Sequence, residues 1–212
     1  FFFFSSPTIR LYIFLLEIGM AFEHGSSKFI FHSTLFCIEF MYNILWGILK
    51  MLKKLIPDYY FKSIYDIPYT QLYENGIRLI LTDLDNTLIS YKETLPNEKL
   101  FSWKKELEEM GFEIILVSNS RKNRVDTFAQ AFDIPYVKFS LKPLKRKIKK
   151  AIKTKTKKKY KKEEMILLGD QLMTDVFAGK RYKISVGLIE AIDKNTDIGP
   201  TRFNRKLESF FL

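Results

Sequence analysis

Residues 77–90 read Ile77-Arg-Leu-Ile-Leu-Thr-Asp83-Leu-Asp85-Asn-Thr-Leu-Ile-Ser90, an apolar run that stops on two carboxylates at i and i+2. Leu79, Ile80 and Leu81 are consecutive and apolar, as expected of a strand buried on both faces of a parallel sheet. Two acids directly after such a strand are dehydrated and mutually repulsive, so a cation is their natural partner. The end of a strand in an α/β sheet is also where ligands sit. A calcium loop begins in the same way, but it needs Gly at its sixth position and Glu at its twelfth, where this chain has Leu88 and Thr94.

A lone Asp-x-Asp is common; its surroundings give it weight. Working outward, residues 69–75 read as a short helix ended by Gly76, and 97–110 as a helix burying Leu100, Trp103 and Leu107 and stopped by Gly111. Residues 112–117 form a second buried strand ending in Ser118-Asn119-Ser120, with a helix over 121–132 capped by Ser120. A short strand over 134–139, a helix opened by Pro143, a strand over 165–168, a helix over 172–179 and a strand over 184–189 complete the alternation. The aromatic-rich stretch 57–68 reads as a cover on the sheet edge. Strand and helix in strict alternation predict a three-layer, Rossmann-like α/β domain with a parallel sheet. Asp83 and Asp85, Ser118 and Asn119, Lys142, and Asp170 and Asp175 each follow a different strand. In a parallel sheet those ends share one edge, and the residues meet there.

Composition narrows the chemistry. The 212 residues carry a formal charge of +11 and one cysteine, Cys37, which rules out an internal disulfide and fits a reducing, cytoplasmic compartment. His24, His32 and Cys37 all precede residue 51. The stretch 51–212 therefore has no thiolate nucleophile, no histidine base and no zinc site of the usual kind, which leaves carboxylates, hydroxyls, lysines and an oxygen-liganded metal.

Residues 1–50 stand apart. They hold half of the twenty phenylalanines, their charges cancel, and Met51-Leu-Lys-Lys reads as a natural start. We read 1–50 as a hydrophobic extension, either upstream sequence, a membrane-associating segment or a helical cap, and 51–212 as the working domain. The run 29–49 is long enough to span a bilayer, but Glu39 lies at its centre, where a charge costs about 2.5–3.5 kcal/mol. All of the excess positive charge lies beyond residue 50 and attracts anions.

Asp83-Leu-Asp-Asn-Thr-Leu, Ser118-Asn-Ser, Lys142-Pro and Gly169-Asp-Gln-Leu-Met-Thr-Asp175 resemble the four motifs of the haloacid-dehalogenase-like (HAD) phosphatases. More narrowly, residues 56–67, the Gly-Asp-Gln-x-x-Thr-Asp form and Thr201-Arg-Phe-Asn-Arg resemble the YqeG family, of HAD subfamily IIIA, related to the mitochondrial phosphatidylglycerophosphate phosphatases. The resemblance covers about 51–212 and leaves 1–50 unmatched.

It implies a phosphomonoester hydrolase. Asp83 would be the nucleophile that forms an aspartyl-phosphate, and Asp85 the general acid and base. Ser118 and Lys142 would hold the phosphoryl oxygens, while Thr87 and Asn119 orient the set. Asp170, with Asp83 and the Asp85 carbonyl, would hold Mg²⁺, supported by Asp175. Neither 88–97 nor the two residues between Phe139 and Lys142 can contain a cap domain, so the site is open and suits a bulky substrate.

The tract 142–162 carries thirteen basic residues and no acid. A solvated face, a docking surface for acidic lipid at the inner face of a membrane, and nucleic-acid binding all fit it. The expected substrate is phosphatidylglycerophosphate. The alternatives are an uncapped phosphatase of nucleic acid or protein, and a basic RNA- or ribosome-associated binding protein.

Overall fold

A computed structural model describes residues 27–120, 123–138 and 145–193. The chain divides into two compact units, 1–53 and 54–212. In the first unit, helix α1 (Ser27–Leu52) runs without a break through Met51. Phe40, Met41, Ile44, Leu45, Trp46, Ile48 and Leu49 are exposed on it. Among the described residues, no helix is long and apolar enough to cross a membrane.

The second unit is built on six strands, β1 (Tyr59–Phe61), β2 (Leu79–Thr82), β3 (Glu113–Val117), β4 (Tyr136–Val137), β5 (Met165–Gly169) and β6 (Ser185–Ile189). They form one sheet in the order β1-β6-β5-β2-β3-β4, with every pairing parallel. Strand β2 is flanked on both sides, by β3 in the register Thr82↔Leu116 and by β5 in the register Thr82↔Leu168.

The helices of this unit are α2 (Tyr69–Glu74), α3 (Glu98–Glu109), α4 (Asn123–Ala131), α5 (Lys145–Lys155) and α6 (Phe177–Tyr182). Successive strand residues point to opposite faces, and the core divides accordingly. Ile80, Ile114, Leu116, Ile166 and Leu168 pack with Leu72 of α2, Leu100, Trp103 and Leu107 of α3 and Val125 and Phe128 of α4. Leu79, Leu81, Ile115, Val117 and Leu167 pack with Ile148 and Ile152 of α5 and Ala178 of α6. These are the three layers expected from the sequence.

Local chemistry explains where the elements stop. Asn97 caps α3 by accepting from Leu100 N at 3.0 Å. Gly76 and Gly111 take φ of +90° and +91° to end α2 and α3, a conformation that costs other residues more. Trp103 Nε1 donates to Tyr69 Oη at 2.9 Å, and Tyr69 Oη donates to the Ile64 carbonyl at 2.8 Å, so this aromatic corner buries no unmet polar atom.

Three expectations need correction. Residues 57–68 contribute a strand, β1, which pairs with β6 and is not merely a cover. Among the described residues of 134–139, the strand is only Tyr136–Val137. The helix placed over 172–179 begins as a wide turn, Leu172–Val176, in which Val176 N donates to Gln171 O at 3.2 Å across five residues, before α6 continues. Helices with such i→i+5 turns are often distorted at functional sites.

Candidate active site

Among the described residues, three of the motifs follow β2, β3 and β5 at the same edge of the sheet. Asp83 N continues the ladder to Leu168 O at 2.9 Å, so β2 delivers Asp83 just beyond its paired length. The chain then turns sharply. Asn86 takes φ +61°, a left-handed conformation that Asn tolerates better than most residues, and the amides of Thr87, Leu88 and Ile89 converge on the Leu84 carbonyl. The turn leaves Asp83, Asp85, Asn86 and Thr87 at most 7% exposed.

Asp83, Asp170 and Asp175 come together from three places in the chain. Each places a carboxylate oxygen within 4.8 Å of the other two, and all three residues are buried. Asp170 follows β5 directly. Asp175 arrives because the wide turn folds it back over Gly169, where its Oδ2 accepts from Gln171 N at 3.3 Å and from Thr174 Oγ1 at 3.2 Å. Gly169 is required for this approach. A Cβ there would lie 2.3 Å from Asp175 Cγ.

Three carboxylates this close and this dry repel one another unless a cation or protons neutralise them. An all-oxygen donor set of this kind fits a hard divalent ion. The residues present could therefore hold the metal.

Asp85 is not in that group. Its Oδ1 accepts from Arg124 Nη1 in an ion pair, with the two side chains only 10% and 14% exposed. Ser118 is buried at the end of β3 and its Oγ accepts from Ser120 N at 3.1 Å, while Asn119 beside it is exposed. Thr87 Oγ1 is buried with no hydrogen-bond partner among the described residues. Lys142 and Pro143 lie outside the described residues, as do residues 201–205.

The residue that sequence reasoning missed is Arg124. A signal was available. An arginine in the first turn of α4 lies against the helix dipole, which favours acids there, and so calls for a counter-charge nearby.

A parallel α/β sheet with this acidic cluster at its central strand ends, and no cap in the stretch 88–97, is the arrangement of a HAD-superfamily phosphatase. Comparison with known proteins takes this further. Residues 41–193 match the model of the family described as mitochondrial PGP phosphatase, and the chain belongs to that family. The match starts ahead of Met51, so the likeness reaches into residues that the sequence reading left unmatched. The Bacillus subtilis (strain 168) protein "Probable phosphatase YqeG" is 35% identical over 159 residues, covering 74% of this chain and 90% of that protein.

Solved structures are more distant. An uncharacterized protein from Listeria monocytogenes serotype 4b has a TM-score of 0.44 at 13% identity, covering 58% of this chain and 88% of that one. The cobalt-bound deoxy-D-mannose-octulosonate 8-phosphate phosphatase of Haemophilus influenzae has a TM-score of 0.42 at 12% identity, covering 54% and 69%.

Proposed function

We propose that this phosphatase is Mg²⁺-dependent, works through an aspartyl-phosphate, and takes phosphatidylglycerophosphate from an anionic membrane surface on the cytoplasmic side. The observation that carries the reading is the buried Asp83–Asp170–Asp175 cluster, gathered beside Asp85 at the end of β2.

The metal would be held by Asp83 and Asp170 with the Asp85 carbonyl, supported by Asp175. When bound, it neutralises the charge of the carboxylates and of the phosphoryl oxygens. A carboxylate needs no base to activate it, which suits a domain without histidine or cysteine. An Asp83 oxygen attacks phosphorus, the bond to the leaving oxygen breaks, and Asp85 supplies that oxygen with its proton. Water then attacks phosphorus, Asp85 takes the water's proton, and inorganic phosphate leaves Asp83 free again. Ser118, Thr87, Asn119 and Lys142 hold and orient the phosphoryl group.

Three features support a lipid substrate. The family's description names PGP. The stretch 88–97 carries no cap, so a bulky substrate can reach the site and shield it. The basic tract supplies attraction to an anionic surface, and the structure narrows how. Ile148 and Ile152 of α5 are buried against the sheet, whereas Lys149, Lys153 and Lys155 are exposed. The apolar stripe of α5 is thus spent on the fold. Its lysines act by charge alone, without insertion into the bilayer.

The test is hydrolysis by the full chain of a panel of lipid, nucleotide, RNA and protein phosphates, with Mg²⁺ or with a chelator. The expected result is Mg²⁺-dependent release of phosphate, fastest from phosphatidylglycerophosphate and lost in Asp83→Asn to below about 1% of wild type. Preference for RNA or a phosphoprotein would replace the substrate. Turnover retained by Asp83→Asn would replace the nucleophile.

A further inference from the structure

Arg124 makes contacts that its neighbours in α4 do not. Its guanidinium reaches three separate places. Nε donates to the Glu93 carbonyl at 2.6 Å, Nη2 donates to the Ser90 carbonyl at 2.7 Å, and Nη1 pairs with Asp85 Oδ1. The two carbonyls belong to the ends of one tight turn. Glu93 N donates to Ser90 O at 3.2 Å, Ser90 N donates to Glu93 Oε2 at 2.9 Å, and Lys92 N donates to Ser90 Oγ at 3.3 Å. This turn belongs to the stretch that leads from the Asp85 loop to α3.

Most ion pairs on protein surfaces contribute little. This one differs in two respects. Both side chains are mostly buried, and the planar fork spreads its donors from the helix after β3 over both ends of the turn and the acid. A lysine ammonium, a point charge on a flexible stem, cannot reproduce that spread. Each contact also restricts the others: with Nε and Nη2 fixed by the turn, Nη1 has one place to present its proton, and Asp85 is held there.

We propose that Arg124 is a positioning residue that locks the Asp85 carboxylate and the 90–93 turn together as one rigid unit. Proton transfer requires the acid within about 2.6–3.2 Å of the reacting oxygen, and a displacement of about 1 Å can cost on the order of 100-fold in rate. Loss of Arg124 therefore costs turnover and leaves substrate affinity nearly intact. The inference rests on Asp85 as the proton donor and acceptor.

The test uses the full chain with a small soluble phosphate ester and compares Arg124→Ala, Arg124→Lys and Asp85→Asn with wild type. Arg124→Ala is expected to lower kcat by roughly 10- to 100-fold with KM within about twofold, and Arg124→Lys to recover little. Guanidinium chloride at non-denaturing concentration should restore part of the Arg124→Ala rate, and ammonium chloride at equal ionic strength should not. A second readout needs no turnover. Trypsin cleavage after the exposed Lys92 should be faster in both Arg124 variants, because the turn has lost two of its carbonyl anchors.

A raised KM with normal kcat would overturn the proposal by making Arg124 a substrate-binding group. So would a lowered kcat with no guanidinium rescue and unchanged cleavage after Lys92. Full turnover in Asp85→Asn would instead refute the proton-transfer reading, and cleavage after Lys92 would then judge the clamp alone.

Discussion

Gly169 and Asp175 contest the same space, and the glycine is what lets the acid in. With a Cβ at 169 placed 2.3 Å from Asp175 Cγ, Gly169→Ala must push either the strand end or the carboxylate away. Asp175 sits on the wide turn rather than in a paired strand, so the carboxylate is the part that moves. We expect Gly169→Ala to fold, with a melting temperature lowered by a few degrees, and to need at least about tenfold more Mg²⁺ for half-maximal rate; a metal titration of the rate against a thermal melt separates the two effects. At this scale much was legible beforehand. Asp83, Asp85 and Asp170 announce themselves because acids at the ends of buried strands have no structural reason to be there, whereas Asp175, in the helical stretch beyond, drew its role from the family resemblance. Arg124 offered only the faint signal of a cation in the first turn of a helix, because its partners are backbone carbonyls and an acid 39 residues away in the chain. Nor could any spacing show that Gly169 serves Asp175, since that depends on a turn whose width is a matter of packing.

The elements most easily read were those with a strong period. α3 places Leu100, Trp103 and Leu107 inward, as its spacing requires, with a cap at Asn97 and a stop at Gly111. β1 was missed because three residues, Tyr59–Phe61, are too few to show alternation, and an edge strand needs no continuous apolar run. The wide turn was missed for a different reason. Residues 172–179 have a fair helical pattern, and the extra residue per turn is imposed by the need to bring Asp175 back over Gly169. α5 shows how little apolar surface can be enough. Among its described side chains only Ile148 and Ile152 are buried, four residues apart and so on one face. Ile148→Ala should cost about 2–5 kcal/mol, the range for emptying a buried aliphatic site. The midpoint of urea unfolding, followed by far-ultraviolet circular dichroism, measures it, and a loss below about 0.5 kcal/mol would mean that the helix is held by something else.

Among the described residues, the loop that closes the basic tract and the acidic cluster occupy opposite ends of the sheet. The net charge of +11 lies beyond residue 50, and much of it is concentrated in 142–162, which includes α5 and the loop after it. That loop is anchored away from the acidic cluster, with Lys157 N and Tyr160 Oη both donating to the Glu113 carboxylate at 2.8 and 2.7 Å. Replacing Lys155, Lys157, Lys158 and Lys159 with Gln should slow hydrolysis of a lipid phosphate in anionic vesicles, at about 1 kcal/mol of attraction per lysine. Added salt should act like the mutant. Hydrolysis of a soluble ester should stay within about twofold, because the screened, long-range attraction of these lysines does not reach the chemistry. Equal losses on both substrates would place the tract in the fold.

The order of the strands has a consequence in time. β2 carries Asp83 early in the chain, but its partner β5, which brings Asp170 and Asp175, comes from near the far end of the unit. The pairing of β2 with β3 is the more local of the two and can form first, whereas closing β2 onto β5 spans a long loop. A chain still leaving the ribosome thus displays Asp83 alone, without the two acids that will crowd it. The mutual repulsion arises only when β5 closes onto β2. A cation that relieves it binds a nearly finished protein, so it prolongs the life of the folded state and leaves the nucleation of the sheet untouched.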